Sequence, residues 1–227
     1  MAIAYSFSKR LKLIAAALFS LMLNLMLSGC AVPDAPRYSD DLLHPATQAS
    51  EVSLRHDQNV GVIFSENTLT NLTYLKRYHA MAEHGPQSRV LDAQIRQAYV
   101  DSSEPEMAID WLNASLSRQF KSVTYYTSID ALLDAEPDVI VVLDTQSQLV
   151  TERSSDVKAR VTAQFFDGDL NYIGQADGQA SKDMPPMWTH TKRAAEIASD
   201  ITEQRTVQVQ ALQRFDTSLD ELMGPRA

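Results

Sequence analysis

Alternation of apolar and polar residues predicts an antiparallel hairpin late in the chain. Within "DVKARVTAQFFDGDLNYIGQADGQAS" an apolar set alternates with a polar set. The apolar set is Val157, Ala159, Val161, Ala163 and Phe165, and the polar set is Lys158, Arg160, Thr162 and Gln164. A period of two is typical of a strand with one face in water. The "DGD" at Asp167 to Asp169 predicts the turn.

The returning strand of this hairpin carries only small residues on one face. They are Gly174, Ala176, Gly178 and Ala180. We expect a large element to approach this face, namely a helix that starts near Thr189 and turns Ala194, Ile197, Ala198 and Ile201 toward the sheet. The alternative is a flexible, glycine-containing edge strand.

Three shorter runs predict further strands. "NVGVIFS" from Asn59 to Ser65 and "SVTYYT" from Ser122 to Thr127 are short and rich in β-branched or aromatic residues. "DVIVVLDT" from Asp138 to Thr145 is apolar on both faces, which is typical of a strand in the middle of a sheet.

Helical patterns separate these strands. In "SSEPEMAIDWLNASLSRQF" Ser103 and Glu106 match a capping box, with Pro105 in the first turn. "SIDALLDAE" predicts a short helix capped by Ser128. Residues 66–101 have helical spacing over part of their length, so both a helix and a loop insertion stay open.

The end of the chain continues a helical apolar stripe. Its members are Gln208, Leu212, Phe215, Leu219 and Leu222. This stripe extends the last helix or forms a separate one, and either the protein's own core or a partner's groove covers it. The order strand, helix, strand, helix, strand, strand, strand, helix predicts an α/β (α+β) fold. It has a single mixed or mostly antiparallel sheet, with helices packed mainly on one face.

The N-terminal segment has the pattern of a secretory signal. Lys9, Arg10 and Lys12 precede an almost wholly apolar run from Leu13 to Leu27, and small residues follow. "LSGC" then resembles the lipobox of bacterial lipoproteins and ends at Cys30, the single cysteine of the 227 residues. The alternatives are a plain signal peptide with an incidental cysteine, or an uncleaved anchor.

The resemblance implies a domain organisation and a cellular location. Residues 1–29 form the signal peptide, residues 30–58 hold the lipidated Cys30 and a tether, and residues 59–227 form one periplasmic α/β domain. An arm packed on the domain is the alternative to the tether. Ala31 follows the cysteine in place of the aspartate that favours inner-membrane retention, which implies an outer-membrane lipoprotein attached through acyl chains.

Charge and cysteine content agree with this plan. The chain has 20 Lys+Arg and 29 Asp+Glu, a net charge of −9. From Cys30 onward the balance is 17 basic against 29 acidic residues, −12, because the signal segment holds three basic residues and no acid. Such a chain lacks the clustered cations of a nucleic-acid groove, so we expect no nucleic-acid partner.

The search for chemistry yields few candidates. His79 and His84 are five residues apart without a metal-ligand motif, and no GxSxG, P-loop or Rossmann glycine pattern occurs. We therefore expect no metal, no cofactor and no catalytic residue. Asp144, at the end of a buried strand, is the candidate for a ligand cleft. The loop "KDMPPMWTH" makes Met184, Met187 and Trp188 a possible partner surface, since Trp is favoured at interfaces. Alternatively, Met187 and Trp188 hold the last helix to the core.

The run "VxAxFFDxxxxxIGxxxG", from Val161 to Gly178, is similar to the central hairpin of small α/β envelope lipoproteins. These are the curli-export, exopolysaccharide-export and penicillin-binding-protein activator types. The resemblance covers about 120 residues after Asp101 and carries no functional residue over. It implies a non-enzymatic binding or scaffold module for an envelope assembly or export machine, with an envelope protein as partner. A periplasmic hydrolase or small-ligand-binding lipoprotein, with a cleft near Asp144, is the alternative.

Overall fold

A computed structural model describes residues 33–39, 49–151, 154–185 and 192–224. All of them belong to one compact unit, Val32–Ala227. Its sheet has five strands: β1 Asn59–Phe64, β2 Ser122–Tyr126, β3 Val139–Gln148, β4 Asp156–Asp167 and β5 Tyr172–Asp183.

The sheet is mixed and follows the order β2-β1-β3-β4-β5. β1 runs parallel to β2 and β3, whereas β3–β4 and β4–β5 are antiparallel pairs. The continuous apolar run of β3 is buried from Val139 through Leu143 and occupies the centre, as predicted. The predicted fold class is confirmed.

In the ranges that the structure describes, five α-helices and one 3₁₀ turn accompany the sheet. They are α1 Glu66–His84, the 3₁₀ turn Pro86–Arg89, α2 Ala93–Ser102, α3 Met107–Gln119, α4 Ile129–Asp134 and α5 Ala194–Met223. The segment 66–101, left open by the sequence, is thus mostly helical. Ser65 caps α1 by accepting from the amide of Thr68, and Ser128 caps α4 as predicted.

The capping box predicted at Ser103 is wrong. Helix α3 begins at Met107, and its N-cap Glu106 makes no side-chain capping bond. Ser103 instead ends α2, where its hydroxyl donates to the Tyr99 carbonyl at 2.7 Å. A serine between two helices can cap the start of the second helix or the end of the first. Here the Ser103 hydroxyl bonds to a carbonyl in the last turn of α2, where the helix leaves carbonyls without an intrahelical partner.

Most of the helical mass lies on one face of the sheet. Leu112 and Leu116 of α3 and Phe215 of α5 share a core with Val141 and Phe165. On the other face the short α4 places Leu132 against a smaller apolar cluster with Ile140, Val142 and Phe166.

The small-residue face of β5 receives α5, as expected. A Cβ added at Gly178 would collide with the Ala211 carbonyl oxygen and the Phe215 amide nitrogen, so the helix backbone lies directly on the strand. The helix begins at Ala194, later than the expected start near Thr189, and continues unbroken to Met223. Its C-terminal stripe is covered by the protein's own core: Leu212, Phe215 and Leu219 are buried.

The face of β4 that was predicted to be solvent-exposed is exposed over only half its length. Lys158 and Arg160 are exposed, but Thr162 and Gln164 are buried. The alternation of apolar and polar residues indicates on which face of the sheet a side chain lies. It does not indicate whether another part of the protein covers that face.

The described parts of the predicted tether contact the domain, as in the alternative of a packed arm. Leu54 is buried in the main core. Ser50 donates to the Asp167 carboxylate, and Ala49 forms an isolated bridge with Tyr172. In residues 33–39, Tyr38 reaches the carbonyl of Ser147.

Candidate functional site

A cleft of about 490 Å³ lies where β3, β4 and β5 run side by side. Nine of its lining residues come from these strands: Gln146, Ser147, Gln148, Lys158, Ala159, Arg160, Gln179, Ala180 and Ser181. Tyr38 closes one side, and Gln210 and Arg214 of α5 reach it from another. We call this set of twelve residues the glutamine cleft.

Strand register brings six of the nine strand residues into two rows. Gln146 pairs with Arg160, which pairs with Gln179; in the next row Gln148, Lys158 and Ser181 are matched in the same way. These two rows alternate with the row Ser147, Ala159 and Ala180, which lies on the α5 face of the sheet, so the side chains of the two rows point to the opposite face. The cleft thus combines residues distant in sequence.

Three cationic residues are among those that line the cleft of this acidic protein. Its described lining contains Lys158, Arg160 and Arg214 and no Asp or Glu. Arg160 is exposed and has no ion pair or side-chain hydrogen bond with any described residue. Lys158 lies 3.8 Å from Asp156, but both side chains are about half exposed, so solvent screens this pair. Arg214 donates to the carbonyl of Gln179 at 2.5 Å.

Tyr38 is the aromatic wall of the cleft. Its hydroxyl lies 2.8 Å from the Ser147 carbonyl and 2.9 Å from Oδ1 of Asn71, and it accepts from the Ser147 amide at 3.1 Å. Burial of this hydroxyl raises the pKa of Tyr38 well above its ordinary value. The side chain therefore stays neutral and holds the arm against the end of β3.

Asp144, the sequence candidate, lies beside the cleft and is not open to it. The residue is 1% exposed. Its carboxylate accepts from the Ser65 hydroxyl at 2.7 Å and from the Gln146 amide at 2.9 Å. Ser65 also caps α1, so Asp144 joins a helix start to the central strand. Because both carboxylate oxygens are engaged, this geometry does not favour a catalytic role.

Two buried polar atoms on the face of β4 opposite α5 have no partner in the described part of the chain. They are Oγ1 of Thr162 and Oε1 of Gln164, which follow Arg160 along β4. An unsatisfied buried polar atom costs about 1–3 kcal/mol. Sequence reasoning identified both as strand residues, but it assigned them to water.

The predicted partner surface is only partly described. Met184 is 3% exposed and packs in the core with Ile197 and Ile201, so it does not belong to an exposed surface. Met187 and Trp188 lie outside the described residues, as does Cys30. Their roles stay predictions.

His79 and His84 each contact a polar side chain. His79 lies 3.3 Å from the Ser103 hydroxyl, and His84 lies 3.3 Å from the neighbouring Glu83. Across the ranges that the structure describes, no three His, Cys, Asp or Glu side chains are grouped as metal ligands.

Asp167 organises the hairpin turn, as predicted for this residue. Its carboxylate accepts from the Ser50 hydroxyl at 2.5 Å, from the Asn171 amide at 2.8 Å and from the Asp169 amide at 3.0 Å. Burial opposes ionisation of this carboxyl, but the hydrogen bonds together outweigh it and lower its pKa. The carboxylate therefore links the N-terminal arm to the β4–β5 turn.

Sequence reasoning missed the cleft as a site. The pair Lys158 and Arg160 was visible as the polar side of β4, whereas Tyr38 and Arg214 gave no signal. Their meeting depends on strand register and on the path of the arm.

Comparisons with known proteins add little information about this chain. No protein-family model matches the chain. No curated protein matches it either. Two solved structures, both PelC dodecamers from Paraburkholderia phytofirmans, align with 72% of this chain. Their identities are 12% and 11%, they are covered over 96% and 95% of their lengths, and both TM-scores are 0.30. A likeness this slight carries no argument about fold or function.

None of the helices in the described ranges combines the length and apolar character that crossing a bilayer requires.

Proposed function

We propose that this protein is a non-enzymatic outer-membrane lipoprotein. It acts on the periplasmic side as a binding or scaffold module for an envelope assembly or export machine. The observation that carries the proposal is the sequence "LSGC" behind a basic head and an apolar run. In this proposal Cys30 becomes the N-terminal residue and carries the lipid.

The lipid chemistry supports stable attachment. Each buried methylene contributes about 0.8 kcal/mol, and a single acyl chain gives only marginal binding. Two or three chains on Cys30 hold the protein at the membrane. The acidic remainder of the chain adds little attraction to anionic lipid, so in this proposal the anchor provides the membrane affinity.

The site geometry supports binding over catalysis. Asp144 is buried, and its two carboxylate oxygens accept hydrogen bonds from the Ser65 hydroxyl and the Gln146 side-chain amide. The residues that line the glutamine cleft supply amides, hydroxyls and cations and no carboxylate, which suits a binding site better than a site of general-base catalysis.

The second candidate is a small-ligand-binding lipoprotein, and the cleft itself favours it. Its volume lies in the range of small-molecule sites, about 300–1,000 Å³. Hydrolysis at Asp144, the other part of this alternative, receives no support from the occupied carboxylate.

Crosslinking in intact envelopes tests the proposed partner. Affinity capture after crosslinking is expected to recover one or a few envelope proteins with the wild-type chain. The same capture with Cys30→Ser is expected to recover much less, because the unanchored protein leaves the membrane surface. Equal recovery with both chains, or recovery of nothing above background, would count against the proposal.

A further inference from the structure

We infer that a groove between residues 33–36 and helix α1 faces the bilayer and contacts zwitterionic phospholipid. The inference deepens the proposed function: it rests on the lipid at Cys30 and adds the side of the domain that touches the membrane. We call this groove the arm groove.

The arm groove is open and has a volume of about 400 Å³. Its lining consists of Pro33, Asp34 and Pro36 from the arm and Glu66, Leu69, Thr70, Thr73, Tyr74 and Arg77 from α1. Leu69 is 54% exposed, so a large apolar side chain of the lining stands in solvent. Together with the two prolines it gives the groove an apolar part beside its charged groups.

Contacts of three arm residues fix this side of the groove to the domain. Ala35 packs against the core cluster that includes Tyr74 and Tyr78. The Tyr38 hydroxyl bonds to the backbone of β3, as described above. The Ser39 amide donates to Oδ1 of Asn67 at 2.9 Å, and Nδ2 of Asn67 donates to the Ser39 carbonyl at 2.8 Å. The arm therefore moves with α1 and not as a free linker.

The short distance along the chain to the lipid brings the groove to the membrane. Cys30 precedes Pro33 by three residues, and three extended residues span at most about 11 Å. Without the arm contacts the next fixed position would be Ser50, whose amide donates to the Tyr172 carbonyl. Ser50 follows Cys30 by 20 residues, which reach up to about 70 Å. The docked arm thus holds the groove close to the bilayer to which Cys30 is attached.

The charges of the groove favour a zwitterionic headgroup. Arg77 is exposed and has no ion pair or side-chain hydrogen bond with any described residue, so its guanidinium can bind a phosphate through two parallel hydrogen bonds. The exposed carboxylate of Glu66 suits the amine end of the same headgroup. Because the lining holds one cation and two carboxylates, a surplus of anionic lipid adds no attraction. The exposed Leu69 side chain then meets the apolar region below the headgroups.

Fluorescence of the lipidated chain in vesicles of phosphatidylcholine and phosphatidylethanolamine tests the inference. The fluorophore NBD is attached in turn to Leu69→Cys and to Val90→Cys, while the lipid on Cys30 blocks that thiol. Val90 is a matched control, because it is apolar, 83% exposed and outside the groove lining. It lies beyond the C-terminal end of α1, and the helix from Leu69 to His84 alone spans about 22 Å.

We expect the label at position 69 to shift its emission to the blue and to be quenched by phosphatidylcholine that carries a nitroxide. The label at position 90 should show neither effect. Replacing part of the phosphatidylcholine with phosphatidylglycerol should not increase the quenching at position 69. Stronger quenching in those vesicles would overturn the assignment to zwitterionic lipid.

A chain with a released arm tests the role of the docking contacts. Tyr38→Phe combined with Asn67→Ala removes the hydrogen bonds that hold residues 38 and 39. This chain should still float with the vesicles, but the quenching at position 69 should fall toward that at position 90. Circular dichroism checks that the variant is folded. Full quenching in the folded variant would contradict the orienting role of the arm.

Two results with the wild-type arm would overturn the inference. One is equal emission and equal quenching at positions 69 and 90. The other is a blue shift at position 69 without quenching by the nitroxide lipid, because protein, such as a second copy of the chain, would then cover the groove. Failure of the chain to float with vesicles would remove the lipoprotein proposal and this inference together. Flotation with an unquenched label at position 69 would remove the inference alone.

Discussion

The close approach of α5 to β5 leads to a sharp prediction for Gly178→Ala. A Cβ at this position would overlap the Ala211 carbonyl oxygen and the Phe215 amide nitrogen, and would lie 3.0 Å from the Phe215 Cα. These atoms are helix backbone. They cannot rotate away as a side-chain tip can, and buried Leu212 and Phe215 hold that stretch of helix in the core.

The expected loss follows from two opposing effects. Overpacking costs about 1–3 kcal/mol, and an obstacle of fixed backbone places this case at or above the upper end. Alanine also has a smaller conformational entropy to lose than glycine, which returns about 0.5–1 kcal/mol. We therefore expect Gly178→Ala to lower the free energy of unfolding by about 2–3 kcal/mol.

Two other glycines supply graded controls. At Gly174 the nearest atom is Leu222 Cδ1 at 2.8 Å, the movable end of a side chain, so alanine there should change stability by less than about 1 kcal/mol. At Gly168 the nearest atom is the Pro137 carbonyl oxygen at 3.8 Å, an ordinary contact. Gly168→Ala should stay within about 0.5 kcal/mol of wild type.

Urea unfolding of residues 31–227, followed by circular dichroism, measures all three variants. With a slope of about 2–3 kcal/mol per molar, the Gly178 variant should unfold at a urea concentration about 1 M lower than wild type. A midpoint for Gly178→Ala that equals that of Gly168→Ala would refute the close-approach argument.

The other predictions concern the turn and the loop. Asp167→Asn should lower stability by about 1–2 kcal/mol at neutral pH, because the amide cannot accept all the donors that face the carboxylate. The folded pKa of Asp167 is lowered from 3.8, so its stabilisation is present above that value and is lost as pH falls through the lower folded pKa. Wild type and variant should therefore converge in urea midpoint as pH falls below 3.8, and a difference that stays constant with pH would contradict this. Trp188→Ala should weaken capture of the envelope partner by about 2 kcal/mol with little change in urea midpoint. A stability loss of about 3–5 kcal/mol would instead assign Trp188 to the core.

The sheet could be predicted because its signals are local. The unbroken apolar run of β3 indicated a central strand, and the small residues of β5 indicated a close helix. The capping box predicted at Ser103 was wrong for a related reason. The pattern of Ser103 and Glu106 is also local, but the carbonyls at the end of α2 compete for the same hydroxyl. Only the position of both helices decides that competition.

The candidate site could not be predicted in the same way. Gln146, Arg160 and Gln179 become neighbours through the register of three strands, which depends on burial and turn geometry. Tyr38 joins them because its hydroxyl meets the backbone of Ser147, a contact between residues far apart in sequence. Asp144 was expected at the end of a buried strand, but β3 continues to Gln148, and its partners Ser65 and Gln146 could not be inferred from the pattern.

Labelling cells with radioactive palmitate and fractionating their envelopes on a density gradient tests the lipoprotein account most directly. The wild-type chain is expected to carry label and to band with the outer membrane, whereas Cys30→Ser should carry none and leave that fraction. Equal label on Cys30→Ser, or a labelled wild-type chain that bands with the inner membrane, would contradict the account.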